Sequence, residues 1–194
     1  MPITQQIGSS SLNKPGVCTS TTRPSSPYNG QLVWETDTGK SFIWNGSSWV
    51  LFSAPNPPTV SLYNTTDQAL SGPSYNILSF NSERWDTHGM HSTSSNTSRI
   101  TIPSGWDGYY QFTGALNLTT SQATVNFLRN GTDRFYGDFT PSGGACSSTS
   151  IINCNAGDYV EFSSYALGNC TVYGTNSLGG TTSPIFQAIW LRPL

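Results

Sequence analysis

The densest set of groups able to hold a metal or move protons is "RWDTHGMH", residues 84–91. It contains both histidines of the chain, His88 and His91, just after Asp86. A carboxylate and two imidazoles this close would suit a transition metal or acid–base work. The spacing matches no standard zinc or iron motif, and neither a cysteine nor a second carboxylate follows closely. The segment is expected in a loop between strands, where hydrogen bonds that order the loop are its plainer role. Nucleophilic catalysis would need a serine paired with one of these histidines, yet the chain has no GxSxG elbow and no Cys/His/Asn pattern. The ten carboxylates are dispersed and suggest no glycosidase pair. Glycine-rich turns such as "SGG" open no helix, so they form no phosphate loop. The residues predict a protein that is not an enzyme, with no cofactor and no metal.

The elements that would position any such groups are strands. Charged residues are only 9% of the chain and aromatics reach 12%, while Val, Ile, Thr, Tyr, Phe and Trp outweigh the helix formers. The net charge of -2 and eight scattered basic residues leave no footprint for nucleic acid. "MPITQQIGSS" lacks a basic and an apolar signal region, and no apolar run is long enough to span a membrane. A protein made in a cytosol and not inserted in a membrane is the expectation. The cysteines, Cys18, Cys146, Cys154 and Cys170, show no metal-ligand spacing. A bridge among the last three and idle buried thiols both stay open.

Residues 1–29 have no hydrophobic period and predict an extended arm, ordered only where another chain holds it. Residues 30–52, "GQLVWETDTGKSFIWNGSSWVLF", predict a three-stranded β meander, with turns at Thr38-Gly39 and Asn45-Gly46. Alternation groups Trp34, Trp44 and Trp49 with Leu32, Phe42 and Leu51, and turns Val33, Ile43 and Val50 the other way. Such an aromatic face is either the core of a small module or a platform for sugar rings. "SAPNPPT", residues 53–59, reads as a stiff Pro-rich linker.

From residue 60 to 194 strand follows strand, at 75–80, 98–103, 108–120, 123–131, 133–140, 149–157, 158–167, 170–175 and 184–193. Turn signals fall at Asn130-Gly131, "PSGG" (141–144), "NAGD" (155–158) and "SLGG" (177–180). This spacing without helical segments predicts an all-β, antiparallel jelly-roll sandwich. In the last strand Ile185, Ile189 and Leu191 share one face, and Phe186 and Trp190 the other. A strand apolar on both faces is either central to two layers or at a subunit interface.

Two resemblances follow from these residues. "ILSFNSERWDTHGMHS" and "SRITIPSGWDGYYQFTGAL" (with Gly108, Tyr110 and Phe112), then "VNFLRNGT", "NAGDYVEF" and "SPIFQAIWL", resemble in their order the tumour-necrosis-factor-like or complement-globular-head jelly roll. That resemblance covers residues 75–194. "KPGVCTSTTRPSSPYNGQLVWETDTGKSFIWNGSSWV" (14–50) resembles a short module of tailed-bacteriophage structural proteins. Its pattern is met by Arg23-Pro24, Pro27, Gly30, Glu35-Thr36-Asp37-Thr38 and Gly46 to Trp49.

The resemblances imply a virion protein anchored through residues 1–52 to other virion proteins. Arg23, Pro24, Trp34, Trp44 and Trp49 would belong to the anchoring module. The jelly roll would be displayed outward as a homotrimer, with Tyr110, Phe186 and Trp190 the nominees for its threefold interface. The implied task is host attachment through a surface glycan or protein, as a tail fibre or tip protein. Capsid decoration is the alternative, and a carbohydrate-binding module using the three tryptophans is a further one.

Overall fold

The computed structural model describes residues 15–53, 56–119, 122–177 and 184–194. The chain divides into two compact units, Met1–Asn56 and Pro57–Leu194. Residues 1–14 of the expected arm, 54 and 55 of the expected linker, and 178–180 of the "SLGG" turn lie outside the described residues.

The N-terminal unit holds β1 (Gly16–Cys18), β2 (Leu32–Glu35), β3 (Lys40–Trp44) and β4 (Trp49–Ser53) in one sheet in that order. β2, β3 and β4 form the antiparallel meander. β1 adds a fourth strand, running parallel to β2 with Val17 opposite Trp34, so the segment expected as an arm is in part a sheet edge. A parallel neighbour needs a crossover, and residues 19–31 supply it. Ser20 binds the Asp37 carboxylate through its hydroxyl (2.6 Å) and its backbone amide (3.0 Å). Those hydrogen bonds, the hydroxyl's above all, hold the Asp37 carboxyl below its usual range.

The C-terminal unit contains β5 (Thr59–Tyr63), β6 (Gln68–Leu70), β7 (Ser74–Ile77), β8 (Ser82–Asp86), β9 (Arg99–Thr101) and β10 (Gly108–Leu118). β11 (Ala123–Arg129), β12 (Asp133–Thr140), β13 (Gly144–Cys154), β14 (Tyr159–Ala166), β15 (Cys170–Val172) and β16 (Ile185–Arg192) follow. One sheet runs β6-β15-β10-β16-β5-β8, with β13 on the other flank of β10; the second runs β12-β11-β14-β7, with β9 also on β14. Among the described residues the pairings in this unit are all antiparallel. β10 and β13 pair in one sheet while β11 and β14 pair in the other, the nested crossing of a jelly roll. The all-β sandwich is therefore as expected from the strand spacing.

Alternation explains the two layers. Along β10 every second residue, from Gly108 through Tyr110 and Phe112 to Leu118, is buried and the others are half-exposed. The interior is centred on Phe80, Phe112, Phe127, Phe162 and Phe186, all fully buried. Phe186 lies 5.6 to 6.1 Å, centroid to centroid, from the other four, within the range where tilted and stacked rings attract. Gly114 faces this cluster, and a Cβ there would sit 2.5 Å from the Phe162 ring; the sheets close over Phe162 because that position has no side chain.

Candidate functional site

The three residues of the "RWDTHGMH" cluster come together, but as a brace for the chain around them. Asp86 ends β8 and so stands on a strand, not in the expected loop; His88 and His91 lie in the segment that follows. Asp86 accepts the His88 amide on Oδ1 (3.1 Å) and the His91 amide on Oδ2 (2.9 Å). Both ring nitrogens of His91 face backbone carbonyls, Nδ1 that of Arg99 (2.8 Å) and Nε2 that of Phe80 (3.1 Å). With a carbonyl oxygen in front of each ring nitrogen, neither position is open to a metal. His88 Nδ1 meets the Thr87 hydroxyl at 2.8 Å, and its ring stands edge-on to Trp106 at 5.1 Å. Among the described residues no three His, Cys, Asp or Glu side chains gather as a metal would require. Asp86→Ala is expected to cost about 1–3 kcal/mol, because two amides lose a charged acceptor. Hydrogen exchange at the His88 and His91 amides should quicken, and equimolar zinc should leave the wild-type melting temperature unchanged.

The tryptophans do not share one face. Leu32 pairs with Ile43, Trp34 with Ser41, Phe42 with Leu51 and Trp44 with Trp49. Paired residues point the same way, so Trp44 and Trp49 side with Val33, Glu35 and Phe42, while Trp34 points to the opposite face. The three-indole platform is corrected by this register, since alternation within single strands says nothing about how the strands are matched. Trp44 and Trp49 meet edge-on at 63°, not coplanar. Their face carries the module's interior: Val33 and Glu35 are fully buried. Arg23 pairs with Glu35 and lies over the Phe42 ring, 4.2 Å from its centroid. Thr38 donates to the other Glu35 oxygen at 2.7 Å. Pro24, beside Arg23, is half-buried.

Two of the three nominated interface residues are interior. Tyr110 and Phe186 are completely buried within the protomer and have no surface to offer another chain. The Tyr110 hydroxyl donates to the Trp106 carbonyl at 2.8 Å, and burial keeps the phenol neutral far above its ordinary range. Trp190 packs against the core and edge-on to Trp106 at 5.2 Å. It lies across Gly108, where a Cβ would fall 2.4 Å from the indole nitrogen. The exposed members of β16 are Ile189, Leu191 and Arg192. Strand periodicity separates the two faces of β16 but does not say which one the second sheet covers.

None of the four cysteines takes part in a disulfide. Cys146 and Cys154 sit on one extended strand, about 26 Å apart at 3.3 Å per residue, and cannot bridge each other. Burial pushes the Cys154 thiol up to about 12, with Asp158 adding to it, and burial also raises Cys146. At neutral pH these are inert packing groups rather than nucleophiles.

Two outer faces remain. On the large sheet the row Ile151, Gln111, Ile189 and Thr59, and the row Thr149, Thr113, Gln187, Ser61 and Trp85, carry no charge. Ile151, Trp85 and Ile189 are 60%, 49% and 46% exposed. On the small sheet Tyr75, Ile77, Tyr136 and Phe139 are exposed around Arg134.

No family model and no curated protein sequence matches the chain. Solved structures similar to it include murine APRIL at pH 8.5, with 12% identity over 69% of this chain and 98% of that one and a TM-score of 0.46. The globular domain of zebrafish complement 1qA protein shows 14% identity over 71% and 99%, at a TM-score of 0.49. Eiger TNF from S. frugiperda shows 9% over 71% and 95%, at 0.48. At TM-scores below 0.5 the sandwich rests on its own strand pairing.

Proposed function

We propose that this chain is a non-enzymatic structural protein of a tailed-phage particle. Its N-terminal unit is held by other virion proteins, and its sandwich is displayed as a homotrimer for attachment to the host surface, as a fibre or tip protein. The observation that carries this reading is the use made of the phage-module pattern. Arg23, Glu35, Asp37, Thr38 and Trp49, residues of the stretch that resembles that module, make side-chain contacts within the N-terminal unit. A pattern that specifies a small self-contained sheet suits an exchangeable anchor.

Two uncharged rows on the outer face of the large sheet support self-association. They offer isoleucines and a tryptophan to cover. Three copies rather than two follow from the jelly-roll family that residues 75–194 resemble. Capsid decoration shares every one of these features and differs only in where and how often the protein is placed. Light scattering tests the assembly: a mass of three 20.9 kDa chains is expected, and Ile189→Asp should yield folded monomers. A monomeric wild type, or an undisturbed Ile189→Asp trimer, contradicts this face as the interface.

A further inference from the structure

The outer face of the small sheet holds a guanidinium with no carboxylate partner among the described residues, set among exposed aromatic rings. Strand pairing puts Tyr136 opposite Asn126, Phe139 opposite Thr124 and Tyr75 opposite Tyr165. The register shifts between Thr124 and Asn126. That bulge brings Tyr136 and Phe139, three positions apart, onto one face, where a regular strand would send them to opposite sides. Gly137 lies in the bulge, and a Cβ there would fall 2.3 Å from the Ser148 Cβ, so the irregularity is built into the packing.

Arg134 sits amid these rings. Its guanidinium lies 3.6 Å from the Tyr75 centroid, and Nη1 donates to Asn126 Oδ1 (2.5 Å) and Ser163 Oγ (3.4 Å). Among the described residues its Nε and Nη2 make no hydrogen bond, and it belongs to none of the three ion pairs. Asn126 and Ser163 are wholly buried, and Asn126 Nδ2 has no hydrogen-bond partner among the described residues. Above them Tyr136 and Phe139 are 67% and 53% exposed.

We propose that this face binds an acidic saccharide. The apolar side of a sugar ring rests on the exposed aromatic rings, and its carboxylate takes the Nε–Nη2 edge of Arg134. A planar guanidinium edge matches a carboxylate with two parallel hydrogen bonds. The bonds from Nη1 and the stack on Tyr75 already hold that edge in place, which lowers the cost of ordering it. A neutral sugar would cover the guanidinium and leave it unpaired. One guanidinium in a chain of net charge -2 does not track a polyanion, but it suffices for one carboxylate. The inference rests on the attachment reading and names the ligand class for it.

The test presents the full chain with immobilised neutral, uronate-bearing and sialylated oligosaccharides, with the methyl ester of each acidic probe as its uncharged control. Binding to an acidic probe is expected, weakened by about tenfold or more on esterification and reduced by added salt. Arg134→Gln and Tyr136→Ala should each lower affinity by about tenfold or more with the fold unchanged. Tyr136 is mostly exposed, so its variant decides even if the arginine variant fails to fold. No binding to any acidic probe, equal affinity for the esters, or full affinity in Tyr136→Ala overturns the site. Host-cell binding that survives Tyr136→Ala overturns it too, and leaves the attachment reading standing. A wild-type protein that binds acidic probes but no host surface contradicts the attachment reading and not the site.

Discussion

Phe186→Ala is expected to cost about 3–5 kcal/mol of folding stability. Phe186 stands on β16, inside the large sheet between β10 and β5, and its ring meets four other phenylalanines, of which Phe127 and Phe162 lie across the sandwich. Removing it opens a void lined by rings that belong to both sheets, so neither sheet can collapse alone to fill it. The cost adds lost burial, lost ring pairing and a residual cavity. Urea denaturation at several protein concentrations reads it, because assembly adds a concentration-dependent part to apparent stability. The midpoint should fall at every concentration by the same amount. A loss seen only as dissociation, with the protomer's own unfolding unmoved, would return Phe186 to a subunit interface. Ile189, on the opposite face of the same strand, should behave in the reverse way.

The second large effect is expected in the N-terminal unit. Arg23→Ala leaves the fully buried Glu35 carboxylate without its cation, a change that costs about 3–5 kcal/mol when an internal pair is broken. A unit this small has little stability to spare, so it should unfold while the sandwich stays intact. Hydrogen-exchange mass spectrometry separates the two: amides of β2 and β3 should lose protection, and those of β10 should keep it. Arg23→Lys should rescue only in part, since an ammonium lacks the plane that covers the Phe42 ring. Full protection of β2 in Arg23→Ala would mean the pair is ornamental.

Local signals made much of the fold legible. β12 matches its expected span of 133–140 because Asn130-Gly131, both with positive φ, sets the turn before it. The Gly108, Tyr110, Phe112 alternation read directly as β10. β8 was not legible: "SERWD" lacks an apolar period because it is a mostly exposed edge strand with a register shift against β5. β1 was hidden because three residues with no period become a strand only beside β2. The site was less legible still. Arg134 and Tyr136, two apart on β12, share a face by alternation, but Tyr75 comes from β7 and Phe139 joins them only through the bulge, and single-strand alternation predicts neither. Trp34 was misplaced for the same reason: pairing decided its face.

Electron microscopy of whole particles, with gold-labelled antibody against the Pro57–Leu194 unit, decides whether the protein is part of a virion. Label is expected on the particle surface, at a few positions on the tail for an attachment fibre or tip. Label spread over the head would make the protein a decoration of the shell. Particles that carry no label anywhere would contradict the virion reading altogether.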